Sequence, residues 1–353
     1  MSAKENVTIY DISKKLNISA ATVSRALNDN PKISAKTKEL VLKTAKELNY
    51  KQNKLALALK SGKTNTVGVI VPYINRNFFS AIIDGIENEL SSLGYHVIIC
   101  QSHEREDIEE NHINNLLHTK VDGIFMSVSK STKDIDHIKK IVDENIPLVF
   151  FDRKKDIPGV SSVTIDDFKG GYMATEHLIK QGAKRIAHFS GNLNLEIYKK
   201  RHDGYIKALK DYGLPIKNKW IVDTNSKIDS GAAAVAELWQ NKNVPDAIFS
   251  ASDYAALGAI QELKRRNINI PEDVSIVGFS NEPFTKFMEL PISSIDQTPA
   301  LMGQIAAQVF LEKVNRHQSL SIEKKVVLAP ELKIRKSSVN EGKLKERLHV
   351  STG

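Results

Sequence analysis

"TIYDISKKLNISAATVSRALN", residues 8–28, decides how the amino-terminal part of this chain folds. Thr8 stands three residues before Asp11 and just ahead of the apolar positions Ile12 and Leu16, which is capping-box spacing at a helix start. "NIS" then breaks the pattern, because Asn and Ser side chains compete for backbone hydrogen bonds. Ser19 caps a second helix in which Val23 and Leu27 fall one turn apart. Ser34 opens a third, with Val41, Ala45 and Leu48 directed inward. Two short helices joined by a three-residue turn, the second beginning with small residues, make a helix-turn-helix whose second helix fits a DNA major groove.

Charge supports that reading. Residues 1–63 hold thirteen Lys and Arg against five Asp and Glu, while the other 290 residues are balanced at 37 of each, so this module carries the whole net charge of +8. Such a concentration is the electrostatic footprint of a nucleic-acid binder. The chain of 353 residues, 41% hydrophobic and 26% charged, is long enough for two or three globular domains. The start "MSAKENVTIYD" lacks an apolar signal core, no apolar run reaches membrane-spanning length, and the single Cys100 makes no internal disulfide, so a cytoplasmic protein is expected.

From Thr66 onward short apolar runs alternate with amphipathic stretches. "TVGVIVP", "HVIICQS", "DGIFMSV", "PLVFFD" and "SVTID" lead into "RIAHFSG", "KWIVDT", "DAIFSAS" and "VSIVGFS". That pattern predicts an α/β core of doubly wound parallel sheets. "VDGIFMSVSK" and "PDAIFSASDY" resemble one another at comparable points of two halves, which suggests two similar lobes with a ligand cleft between the carboxyl ends of their strands. The strand-end groups able to grip a ligand are Asp152, Arg201 and Asp253, with Phe78 and Phe79 at the start of the helix after the first strand. Carboxylate and guanidinium suit hydroxyl groups, and an aromatic face suits the apolar side of a sugar ring.

"TIYDISKKLNISAATVSRALN" resembles the headpiece of the lactose-repressor (LacI/GalR) family of transcription regulators, and the similarity runs to about residue 336. It implies an all-α headpiece (1–52), a hinge helix or linker (53–64), an effector-binding and dimerisation core like periplasmic binding proteins (65–338), and a polar tail (339–353). The chain would cross between lobes near residues 163, 291 and 323, leaving 65–163 with 293–323 in one lobe and 164–292 with 324–338 in the other. Ala20, Ala21 and Arg25 match base-reading positions, while Thr8, Tyr10, Ser19, Thr22, Ser24 and Asn28 match positions that contact phosphates or brace the helix. Arg25 can pair bidentately with guanine, and the two alanines offer methyl contacts.

The resemblance also explains "NKLALALKSGK" (53–63), whose alternating leucines are otherwise odd in a linker. Its hinge helix folds on the operator, where Leu59 matches a residue wedged into the minor groove. Leu55 or Leu57 would face the mate's hinge, and Leu57 replaces an Arg common in the family. Asp152 and Arg201 match effector-binding positions. Three departures weaken an unmodified monosaccharide as effector: Ser280 followed by Asn281 where many members have Asp, Ser252 where they have Asn, and Ser226 or Lys227 where an aromatic is common. A larger, phosphorylated or non-sugar effector and a protein co-regulator stay open as alternatives.

A homodimer on near-palindromic operator DNA is expected, since one helix-turn-helix reads only a half-site. The tail after Arg335 lacks the apolar heptads of a tetramerising coiled coil. "SGKT" (61–64) mimics a phosphate loop but has Leu57 where that loop needs Gly. His96, His103, His112, His118 and His137 lack metal-ligand spacing, and no GxSxG motif appears, so neither an enzyme nor a cofactor is expected. A stand-alone solute-binding protein fits the core but not the basic headpiece.

Overall fold

The computed structural model describes residues 7–51, 63–240, 244–315 and 323–339, and the chain divides at Thr64 into a small amino-terminal unit and a large core. In the first unit three helices form: α1 (Ile9–Leu16), α2 (Ala20–Leu27) and α3 (Ala35–Glu47). The Asp11 carboxylate accepts from the Thr8 backbone N–H at 2.7 Å and from its hydroxyl at 2.8 Å. Asn17 ends α1 at φ 49°, a left-handed conformation that Asn tolerates. The Ser19 and Ser34 hydroxyls accept from the N–H groups of Thr22 and Thr37 at 3.1 and 3.3 Å. These caps orient the helices so that Ile12, Val23, Ala26, Val41 and Ala45 meet in one small core, ringed by half-buried Leu16, Leu27, Leu48 and Tyr50. The expected hinge, with Leu55, Leu57 and Leu59, lies outside the described residues.

In the core, all nine expected strands form: β1 (Thr66–Val71), β2 (His96–Gln101), β3 (Gly123–Met126), β4 (Leu148–Phe151), β5 (Ser161–Ile165), β6 (Ile186–Ser190), β7 (Ile221–Asp223), β8 (Ala247–Ser250) and β9 (Ser275–Phe279). Three more, β10 (Ser293–Asp296), β11 (Lys325–Leu328) and β12 (Glu331–Lys333), complete two six-stranded sheets. Their orders are β11-β5-β4-β3-β1-β2 and β12-β10-β9-β8-β6-β7. Pairing is parallel throughout except between β10 and β12.

Helices cover both faces of each sheet, which is why the central strands read as continuous apolar runs. Along β1, Val67, Val69 and Val71 join the core beneath the Asn77–Ser91 and Pro299–Asn315 helices, whereas Ile70 faces the core beneath Glu106–His118. The first two helices pack backbone to backbone: a Cβ at Gly85 would lie 2.2 Å from the Ala300 carbonyl oxygen, and one at Gly303 would lie 2.1 Å from that of Ile82.

Strand pairing moves the lobe boundaries. The first sheet keeps β5 through Ile165, so the first crossing follows that residue, two beyond the one the sequence pointed to. β10 pairs with β9, which puts residues 293–296 in the second lobe and the second crossing after Asp296, not near 291. β11 pairs with β5, returning residues 325–328 to the first lobe, and the third crossing falls between Leu328 and Glu331 instead of near 323. Three short strands that alternate between sheets leave little periodicity to read, and their ladder partners lie far away in sequence.

Candidate DNA-reading surface and ligand cleft

On the headpiece, α2 buries Val23 and Ala26 and turns Ala21, Arg25 and Asn28 outward, with Ala20, Thr22 and Ser24 half-exposed. Thr8 and Ser19 are exposed at the two helix starts, and the Tyr10 ring is 70% exposed. The capping roles occupy several of these groups: the Ser19 and Thr22 hydroxyls bond each other at 2.9 Å, and Asn28 Nδ2 donates to the Ser24 carbonyl at 2.7 Å. Arg25 is different. Among the described residues its guanidinium makes no ion pair or side-chain hydrogen bond, leaving a full set of donors on the outward face of a capped helix.

In the core, each sheet reverses its strand order beside its first strand, between β1 and β3 in one lobe and between β6 and β8 in the other. Segments leaving those switch points diverge and open a crevice. Here the two crevices face each other, enclosing a cavity of about 170 Å³. Tyr73, Arg76, Phe78 and Phe79 reach it from beyond β1, Lys130 from beyond β3, and Asp152 and Arg153 from beyond β4. The second lobe contributes Asn192, Tyr198, Arg201, Ser252, Tyr254, Ser280, Glu282 and Gln297.

Arg201 is 3% exposed and held on every side. Its Nε donates to Asp167 Oδ1 at 2.7 Å, one terminal nitrogen to the Ala251 carbonyl at 3.0 Å, and the other to Gln297 Oε1 at 3.3 Å. The guanidinium also lies 3.7 Å from the centroid of the Phe279 ring. Three of its five N–H donors are engaged, so two can serve a ligand. Asp152 sits at φ 59°, left-handed for a non-glycine residue, and accepts from the Ser127 hydroxyl at 3.1 Å. Burial pushes its carboxyl above the ordinary value, against the pull of Arg153 and Arg201. Arg153 binds Glu104 at 2.8 Å, but its buried Nε has no hydrogen-bond partner. Phe78 and Phe79 stand edge to face at 5.2 Å, lining the cleft while also belonging to the first lobe's core.

Two expected ligand groups are absent from the lining. Asp253 is 0% exposed and works beneath the surface, accepting from the Ser294 hydroxyl at 2.7 Å and the Glu282 N–H at 2.8 Å. Burial raises it to about 6. Asn281 turns away to donate to Asp296 at 2.8 Å and accept from Arg335 at 2.6 Å. Both correct the sequence reading for the same reason: a strand end points one side chain toward the crevice and the next into the lobe. Ser252 and Ser280 do line the cleft, Ser280 at φ 115° and accepting from Gln297 at 3.0 Å. Missed from the sequence were Tyr73, Arg76, Lys130, Arg153, Tyr198, Tyr254, Glu282 and Gln297. The position just beyond a switch-point strand was the available signal for Tyr73, Arg76 and Lys130. Tyr198, bonded to the Ser226 hydroxyl at 2.9 Å, supplies an aromatic beside the place where Ser226 or Lys227 replaces one.

Residues 8–53 match the model of bacterial regulatory proteins of the lacI family, and residues 64–330 match that of periplasmic binding proteins and the sugar-binding domain of the LacI family. The chain belongs to the LacI family. It is a DNA-binding transcriptional regulator and not an enzyme. Catabolite control protein A of Priestia megaterium is 35% identical over 92% of this chain and 97% of its own length. The lac repressor dimer bound to operator and the anti-inducer ONPF superposes with a TM-score of 0.83 at 25% identity, covering 95% of this LacI-family chain and all of the repressor chain. A complex of the transcriptional regulator CelR with cellobiose gives 0.70 at 28% identity over 94% of this chain and all of its own. Among the described residues no helix is long and apolar enough to cross a membrane.

Proposed function

We propose that this LacI-family chain is a repressor acting as a homodimer on a near-palindromic operator in the cytoplasm, at the nucleoid. A sugar or sugar derivative bound between the lobes would control it. The observation that carries the DNA-reading half is Arg25, exposed and free of side-chain partners among the described residues on the helix capped by Ser19. With α2 in the major groove, Arg25 reads guanine, Ala20 and Ala21 touch base methyls, and Thr8, Tyr10, Ser19, Thr22, Ser24 and Asn28 contact phosphates or brace the helix. Leu59 wedges the minor groove. Selection of bound sequences from a random DNA pool tests this reading, with an enriched palindrome as the expected outcome. Recovery without any enriched motif refutes it.

In the cleft, Phe78 and Phe79 offer apolar surface, while Asp152, Arg201, Ser252 and Ser280 supply acceptors and donors. The lining carries Arg76, Lys130, Arg153, Arg201 and Lys227 against Glu104, Asp152 and Glu282. That excess of cations favours a sugar bearing an acidic group over a neutral one. Dimerisation is supported by the edge strand β2, whose Ile98 and Ile99 are 36% and 49% exposed, near exposed Ile74 and Leu93.

A further inference from the structure

The lobes touch across the cleft through side chains that also line it. Arg76 precedes the Asn77–Ser91 helix of the first lobe, and its guanidinium carbon lies 3.8 Å from the centroid of the Tyr254 ring on the second. An edge-on contact with Phe284 at 5.2 Å holds that ring in place. Glu282, from the second lobe and 4% exposed, approaches the same helix start. The first N–H groups of a helix lack intrahelical acceptors. Those of Phe79 and Ser80 bond the Arg76 carbonyl at 3.1 and 3.2 Å, while those of Asn77 and Phe78 favour the charged form of the nearby Glu282 carboxylate.

Two opposing influences act on Glu282. Burial and the Asp253 carboxylate behind it push it up to about 7, whereas Arg76 and the N–H groups of Phe78 and Asn77 favour its charged form. Asp253 is itself screened by Arg335 and by the Ser294 hydroxyl. Glu282 thus stands against a like charge within its own lobe and is drawn to Arg76 and the helix start on the other lobe.

We propose that Arg76, Tyr254 and Glu282 form a resident latch that holds the lobes together without effector, so that a ligand acts on a cleft already biased toward closure. This regulatory role rests on the reading of the cleft as the effector site. A ligand shifts the lobe equilibrium only by its differential affinity for the two arrangements. An effector that inserts between Phe78 and Tyr254 must therefore displace the latch and favours opening, while one that binds deeper, at Asp152 and Arg201, adds to it.

Amide hydrogen exchange on the full, effector-free chain tests the latch, because its signal appears on the lobe opposite the mutation. Glu282→Ala is expected to speed exchange at the Asn77 and Phe78 amides by about tenfold, because parting of the lobes exposes that helix start to water. Glu282→Gln, whose amide oxygen still accepts, should restore part of that protection. Arg76→Ala, at a half-exposed site that folding tolerates, should enlarge the radius of gyration in solution scattering. Unchanged exchange at both amides in the Glu282 variants, together with an unchanged radius in Arg76→Ala, overturns the latch. Since every measurement is made on empty protein, that result leaves the effector reading standing, and failure to find an effector leaves the latch result standing.

Discussion

Replacing Arg201 with Met tests how the second lobe supports the cleft, because it removes the buried cation that hydrogen-bonds Asp167. Both side chains are about 4% exposed and meet at 2.7 Å. Breaking a buried pair by removing one partner costs about 3–5 kcal/mol, most of it the burden of the orphaned charge. Asp167 can escape by taking up a proton, and burial already raises it to about 6 from 3.8 despite the Arg201 charge. Holding that proton costs about 1.4 kcal/mol for each pH unit above the unfolded value. Protonation is thus too costly at pH 8 to relieve the variant, but at pH 5 it limits the charge penalty to roughly 2 kcal/mol. The sign follows from a carboxyl raised in the folded state: stability is retained below 3.8 and lost as pH rises through the folded value. Urea unfolding followed by the fluorescence of Trp220, 1% exposed in the same lobe, reads the difference. Arg201→Met should be about 3–5 kcal/mol less stable at pH 8 and recover by about 1–3 kcal/mol at pH 5. Adding Asp167→Asn should restore much of the loss and remove its pH dependence. A loss under about 1 kcal/mol, or one equal at both pH values, refutes the reasoning.

Arg25→Ala should weaken binding by about 1–3 kcal/mol for the base pair it reads while scarcely changing affinity for random DNA; equal losses in fluorescence anisotropy on both would remove its base-reading role. Gly85→Ala should lower thermal stability by about 1–3 kcal/mol, because the added methyl meets the Ala300 carbonyl at 2.2 Å in a backbone-to-backbone helix contact. His188, 0% exposed and stacked on Phe249 at 4.8 Å, is pushed down to about 3 by burial. The unfolded chain takes up its proton below 6.5, so stability should be full above that pH and fall toward pH 3, and His188→Phe should flatten the slope in urea titrations. Ile99→Lys, on the exposed edge strand, should shift a dimer to monomer in mass photometry; an unchanged mass would place the dimer contact elsewhere.

Wherever a feature depended on near neighbours in the chain, the residues alone disclosed it. Ser19 and Ser34 cap their helices, and Asn17 ends α1, through contacts only a few residues away. The seven inner strands among the first nine declared themselves because a parallel strand covered on both faces must be apolar throughout, and the edge strands β2 and β7 were short apolar runs between helical stretches. The cleft-lining Asp152 stood out as a polar group ending such a run, whereas Arg201, inside the helix Glu196–Asp211, and Ser252 and Ser280 were singled out by comparison with the family's pattern.

The helix-turn-helix with its concentrated positive charge and the parallel α/β class were thus determined by sequence alone, through caps, periodicity and charge that no distant contact needs to complete, and the family by the resemblance of residues 8–28 to its headpiece. Tertiary structure decided which sheet takes residues 293–333, that Asp253 and Asn281 brace the second lobe instead of facing the cleft, and that Arg201 pairs with Asp167 within its own lobe. It also decided that Arg76 meets Tyr254 across the lobes. The physical reason is common to all four. Hydrogen-bond ladders, buried charges and ring contacts select their partners by what folding brings within a few ångströms, and those partners lie tens to hundreds of residues apart.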